Sequence, residues 1–138
     1  MGVLTQYLHS DKVLKVIEID PESVHYLASH DLLPIGNIIQ GDFLQYDLDK
    51  IYREPFILCG NYPYNISSQI VFKMIENRDQ IPFMAGMFQY EMAKRISANP
   101  NNKDYGIISV LAQAFYTIKL EFTIEPGAFN PPPKCGVQ

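Results

Sequence analysis

Apolar and polar positions along this 138-residue chain switch repeatedly between runs that suit strands and stretches that suit helices. Thr5 to Ser10 reads as the end of a helix. Val13 to Ile19 is an apolar run that predicts a strand and closes on Glu18-Ile19-Asp20. Pro21 opens a helix with Asp20 as its N-cap, running to about His30. Asn37 to Gln40 is a short strand before Gly41-Asp42-Phe43. Phe56 to Gly60 is the next strand, with Cys59 expected inside it as a buried residue. Ser67 to Asn77 follows as a helix, with Ser67 or Ser68 available as N-cap. Pro82 to Met87 reads as a strand and Gln89 to Ser97 as a helix. Beyond the polar loop from Ala98 to Asp104, Tyr105 to Ala114 is helical and Tyr116 to Thr123 alternates as a strand. Alternating strands and helices imply an α/β fold, a mostly parallel sheet covered by helices on both faces.

Composition changes this picture little. A chain of 138 residues is expected to form one domain, 1–138, able to bury roughly two-thirds of its unfolded surface. Apolar residues make up 47% and charged residues 19%, ordinary for a globular protein. No apolar run approaches the ~20 residues of a membrane span, so no membrane association is expected. Two cysteines, Cys59 and Cys135, form no motif, and a reduced cytoplasmic setting follows. Met84, Met87 and Met92 read as core.

The chemistry concentrates at Asn61-Tyr62-Pro63-Tyr64, where an apolar strand delivers an amide, a rigid proline and an aromatic ring to one point. Asn61 offers an oxygen to one N–H of an exocyclic amine. Pro63 holds Tyr62 extended, which turns its carbonyl outward as a second acceptor. Tyr64 gives a flat face for a nucleobase to stack on. An amine donating to two acceptors loses conjugation with its ring, and its lone pair becomes available for attack. The reading is amino-group methylation of a base. Two more polar signals fall at preceding strand ends, Glu18 and Asp42, where ligands of open parallel sheets bind. An acid at Glu18 suits ribose hydroxyls of an adenine cofactor. Asp42 suits its adenine amine, with Phe43 over the adenine face. Taken alone, Glu18-Ile-Asp20 also reads as helix capping, Gly41-Asp42 as a turn, and Tyr64 as packing beside one. No metal site is read, and His9, His25 and His30 are expected at surface or packing positions.

The residues carry a resemblance. Gly60-Asn-Tyr-Pro-Tyr-Asn-Ile-Ser-Ser68 resembles the signature G-N-L-P-Y-N-I-S-S of the ribosomal RNA adenine dimethyltransferases, with Tyr62 in place of Leu. Met1 to Thr5, Glu18-Ile-Asp20, Gly41-Asp-Phe43, Lys103-Asp-Tyr-Gly106 and Phe129-Asn-Pro-Pro-Pro-Lys134 resemble further blocks of that family, in the same order. The resemblance implies a Rossmann-like class I methyltransferase fold using S-adenosylmethionine. It places Gly2, Glu18, Ile19, Asp42, Phe43 and Asn61 at the cofactor, and Asn61, Tyr62, Pro63 and Tyr64 at the reacting amine. Tyr64 and Phe129 would sandwich a flipped-out base. The implied reaction is dimethylation of N6 on two adjacent adenosines in a hairpin loop of small-subunit ribosomal RNA, free or in a pre-ribosomal subunit. It calls for positioning and electrostatics without a dedicated strong base, in an enzyme that is monomeric when intact.

The chain also departs from that family. Only Gly2 of its glycine loop is present. Measured against that family, the chain is expected to lack the first strand, the last strand and the C-terminal helical domain, leaving an incomplete sheet truncated at both ends. A net charge of −4 is unusual for a protein that meets phosphates. It fits either a missing basic portion or positive charge held locally by Lys73, Arg78, Lys94, Arg95 and Lys103. Two other functions stand beside the enzyme: a non-catalytic RNA-binding or ribosome-assembly factor, and a DNA adenine amino methyltransferase. Ile66-Ser67-Ser68 and the Asn-Pro-Pro-Pro-Lys block argue against the latter.

Overall fold

The structure is a computed structural model and describes residues 2–8 and 13–128. It forms two compact units, Met1–Phe56 and Ile57–Gln138.

The first unit contains α1 (Val3–Leu8), β1 (Val16–Glu18), α2 (Pro21–Ser29) and β2 (Ile38–Gln40). The strands β1 and β2 pair in parallel, Val16 with Ile38 and Glu18 with Gln40, and α2 packs against both. Its start is fixed chemically. Pro21 occupies the first turn, and the Asp20 carboxylate accepts from the Ser23 amide at 3.0 Å and the Ser23 hydroxyl at 2.6 Å. These bonds favour the charged form and hold the Asp20 pKa below its ordinary value. Leu27, Leu33, Leu48 and Ile51 are the unit's buried apolar residues. Lys15 donates to the Ile51 carbonyl, and Tyr52 donates to the Val13 carbonyl at 2.7 Å, so the segment before β1 is tied down from outside the sheet. Gly2 has φ +69°, and a Cβ there would lie 2.6 Å from Leu32 Cδ1, so this position requires glycine.

In the second unit β3 (Ile57–Asn61) and β4 (Phe83–Met87) pair in parallel over five residues, from Ile57 with Phe83 to Asn61 with Met87. Their crossover carries α3 (Ser67–Glu76); α4 (Tyr90–Ser97) and α5 (Ile107–Phe115) follow. The helix α5 packs on both α3 and α4. Ile70, Val71, Met74, Ile75, Ile81, Ile96, Ile108 and Ala112 form the core. Polar groups within it are answered. Ser109 donates to the Arg95 carbonyl and accepts from the Gly106 amide, and Gln113 donates to the Ile96 and Ala98 carbonyls at 2.9 and 2.8 Å. The last turn of α4 is thereby stitched to α5.

Five expectations change. The sheet is present as two separate parallel pairs, and among the described residues no strand joins them. Tyr116 has extended backbone, but the stretch 116–125 forms no strand, because no ladder partner lies beside it among the described residues. Cys59 is exposed: burial along β3 alternates, and Ile57, Cys59 and Asn61 fall on its open side. The apolar run suggested cover on both faces. Ser67 and Ser68 lie inside the first turn of α3, whose N-cap is Ile66, and the Ser67 hydroxyl donates backward to the Tyr64 carbonyl at 3.1 Å. Met84, Met87 and Met92 are half-buried.

Candidate active site

Each predicted polar signal lies at the carboxyl end of its own parallel pair. In the first unit, Glu18 ends β1 and Asp42 follows β2 by two residues. The Gly41 amide donates to the Glu18 carbonyl at 2.9 Å, which draws the two strand ends together. Glu18 Oε1 accepts from the Asp20 amide at 3.0 Å, and Asp42 Oδ1 accepts from the Leu44 amide at 2.9 Å. Each carboxylate is thus steered by its own loop through one oxygen, while the other has no partner among the described residues. Ile19, next after Glu18, is exposed, and Phe43, next after Asp42, is half-buried. Gly2 lies against α2, beside Leu27 and Leu32.

In the second unit the strand β3 ends at Asn61, and the loop Tyr62-Pro63-Tyr64 turns into α3. This loop is built firmly. The Tyr62 amide donates to the Met87 carbonyl at 3.0 Å, extending the β3–β4 ladder by one bond. The Pro63 carbonyl accepts from the Ile66 amide at 3.2 Å, and the Tyr64 carbonyl accepts from Ser67. Two acceptors stay unanswered among the described residues: the Asn61 carboxamide and the Tyr62 carbonyl. Tyr64 is 71% exposed, its ring open to solvent. An exposed large aromatic beside two free acceptors suits a planar ligand bearing an amine.

The Tyr62 side chain has a role that residue patterning missed. It is 8% exposed, packs against Phe88 at 4.7 Å between ring centroids, and donates to the Ala85 carbonyl at 3.1 Å. Gly60 and Gly86 face each other in the register, and the ring lies over both. A Cβ at Gly60 would lie 2.8 Å from the ring, and one at Gly86 would meet the Gly60 carbonyl and the ring. The paired glycines are the signal that could have revealed this pit. Burial pushes the Tyr62 hydroxyl well above the ordinary phenol range, with Cys59 adding to the effect, so it stays a proton donor.

His30 stacks on Tyr26 at 3.9 Å, with Nδ1 2.9 Å from the Tyr26 carbonyl, a local surface contact. His9 and Phe129 lie outside the described residues. Among those described, no group of three His, Cys, Asp or Glu side chains could hold a metal, and no helix is long and apolar enough to cross a membrane.

Comparison with known proteins adds an independent line. The family model described as ribosomal RNA adenine dimethylase matches residues 1–136. A ribosomal RNA small subunit methyltransferase A of Bacteroides thetaiotaomicron is 53% identical over 136 residues, covering 97% of this chain and 51% of that protein. Its namesake in Flavobacterium johnsoniae is 52% identical, with 97% and 52% covered. The chain spans about half the length of the curated relatives it matches. Among solved structures, a dimethyladenosine transferase from Plasmodium falciparum superposes with a TM-score of 0.70 at 27% identity, covering 86% of this chain and 42% of that one. The two βαβ units are therefore parts of a Rossmann-like methyltransferase fold, as the order of strands and helices implies. By the match along nearly its whole length, the chain belongs to the ribosomal RNA adenine dimethylase family.

Proposed function

We propose that this chain carries the cofactor-binding and base-holding parts of an enzyme that dimethylates N6 of two adjacent adenosines in a small-subunit ribosomal RNA hairpin loop. The observation that carries the reading is the pair of unanswered acceptors at Asn61 and Tyr62, beside the exposed ring of Tyr64 and in a loop whose other carbonyls are used. An adenine amine donates its two N–H groups, one to the Asn61 oxygen and one to the Tyr62 carbonyl. Holding both pulls the nitrogen toward pyramidal geometry and concentrates its lone pair. Pro63 keeps that carbonyl turned outward. Tyr64 supports one face of the extruded base, and the resemblance gives the other face to Phe129. The proton displaced from nitrogen needs no strong base, because the chain's contribution is orientation and fixed dipoles.

The cofactor is S-adenosylmethionine, which supplies an electrophilic methyl group on a sulfonium. The residues present fit its adenosine half. Glu18 and Asp42 each keep one carboxylate oxygen unpartnered at a shared strand end, which suits the donors of a ribose diol and an adenine amine. Ile19 and Phe43 offer apolar cover. The resemblance assigns Gly2 and Asn61 to the methionine half. The same reading makes the RNA partner small-subunit ribosomal RNA or a pre-ribosomal subunit, the setting cytoplasmic and the intact enzyme monomeric.

The test is to incubate the chain with S-adenosylmethionine and unmethylated small-subunit RNA, then digest the RNA to nucleosides for mass spectrometry. N6-dimethyladenosine from two neighbouring positions is expected. RNA that binds but gains no methyl group would favour the assembly-factor reading instead.

A further inference from the structure

The second unit contains a cavity of about 430 Å³ outside the site described above. Its walls come from the first two turns of α3 (Ser68, Phe72), from α4 (Met92, Arg95) and from the loop and first turn leading into α5 (Lys103 to Ile108). The rim is well defined. The Tyr105 amide donates to the Asn102 carbonyl at 3.0 Å and the Asp104 amide to Asn102 Oδ1 at 2.9 Å. The Gly106 amide is held by Ser109, which also grips α4.

The charges around it do not cancel. Asp104, the acid on the wall, is paired with Lys94 at 3.3 Å. Arg95 and Lys103 have no carboxylate partner among the described residues. Two free cations therefore line the cavity of a chain whose formal net charge is −4. The N-terminal end of α5 points into the same space and adds the positive end of its dipole. Phe72 and Tyr105, both half-buried, add apolar surface. Arg78, by contrast, is committed to packing, over Phe115 at 4.2 Å and donating to the Ile75 carbonyl.

We infer that this cavity takes a backbone phosphate of a single-stranded RNA, held by Arg95 and Lys103. The inference rests on the proposed function for its choice of RNA. Ser68 stands four residues after Tyr64, on the helix that the Asn61-to-Tyr64 loop opens. An RNA strand that leaves its base at Tyr64 can run across this helix start, with a phosphate beyond the target nucleotide reaching the two cations. The cavity would then anchor the strand while the strand end of β3 reads the base. Such a contact is independent of base identity, since phosphates position and do not specify.

The test is fluorescence anisotropy of a labelled single-stranded RNA decamer with the full chain, titrated at several salt concentrations. Arg95→Gln/Lys103→Gln is compared with Lys119→Gln, whose exposed lysine pairs with Glu121 away from the cavity. The double variant should bind at least about tenfold more weakly. Its plot of log affinity against log salt should also flatten by about 0.7 for each lost phosphate contact. Arg95→Lys should recover most of the affinity, and Lys119→Gln should match the parent. Equal affinity and slope in parent and double variant, or no RNA binding by the parent, would overturn the inference. So would inorganic phosphate or adenosine monophosphate binding as tightly as the RNA, because the cavity would then serve a free phosphate. Asn61→Ala, run in parallel, keeps the two ideas separable: it should lower methyl transfer by about a hundredfold or more whether or not the cavity holds RNA.

Discussion

At the residue scale, Tyr64 and Tyr62 divide the work of one loop in opposite ways. Tyr64 shows its ring to solvent, while Tyr62 buries its ring over two glycines. Stacking needs the ring of Tyr64 and not its hydroxyl. Steady-state kinetics should therefore find Tyr64→Phe near the parent rate and Tyr64→Ala lower by about tenfold, the loss of one stacking contact of ~1–3 kcal/mol. Equal losses in both variants would contradict a stacking role. For Tyr62 the hydroxyl matters to the fold. Tyr62→Phe gives up the bond to the Ala85 carbonyl and should lower unfolding free energy by about 1 kcal/mol in a urea titration. The strand-end places of Asn61, Glu18 and Asp42 and the loop place of Tyr64 were legible in the sequence, because motifs and strand ends are local signals. The Tyr62 pit was not, since it depends on Gly60 and Gly86, 26 positions apart in the chain, meeting in register.

At the element scale, the helices follow rules visible locally, and the strands depend on distant partners. Pro21 and Asp20 announced α2, and the boundaries of α3, α4 and α5 lay within two or three residues of those predicted. The expected strand after α5 failed because alternation specifies an extended chain and not a neighbour. Ser67 failed as an N-cap because Ile66 takes that position and the serine bonds back into the loop. The Asp20 cap has a pH signature. Its folded pKa lies below the unfolded value near 3.8, so the unfolded chain binds more protons between the two values. The cap's stabilisation is therefore complete above that unfolded value and fades as pH falls through the lowered folded one. Helical circular dichroism of Asp20→Ala should lose this acid-side step relative to the parent. An unchanged acid profile would mean that Asp20 does not cap α2 in solution. In the β3–β4 pair, Gly86→Ala forces a methyl against the Gly60 carbonyl and should cost at least ~1–3 kcal/mol in a denaturant titration.

For the whole molecule, two βαβ units supply two kinds of strand end, one acidic and one bearing an amide, a carbonyl and a ring. The α/β class and the order of these ends were readable because periodicity and punctuation are local. The partition into two parallel pairs was not, since pairing is settled by which strands find neighbours. Core packing in the second unit centres on Ile81, which is 0% exposed, and Ile81→Ala should lower stability by about 2–5 kcal/mol. Glu18→Ala should weaken S-adenosylmethionine in a calorimetric titration while leaving helical content intact. An unaltered affinity would remove Glu18 from the ribose. The central claim is that Asn61 holds the target amine, and the most direct measurement compares parent and Asn61→Ala for transfer of labelled methyl groups to small-subunit RNA, with cofactor affinity measured on the same samples. The account predicts a loss in transfer of about a hundredfold or more, the scale of removing one preorganised polar contact to the reacting group, with cofactor affinity largely kept. Transfer and cofactor affinity falling together, or transfer persisting at the parent rate, would contradict it.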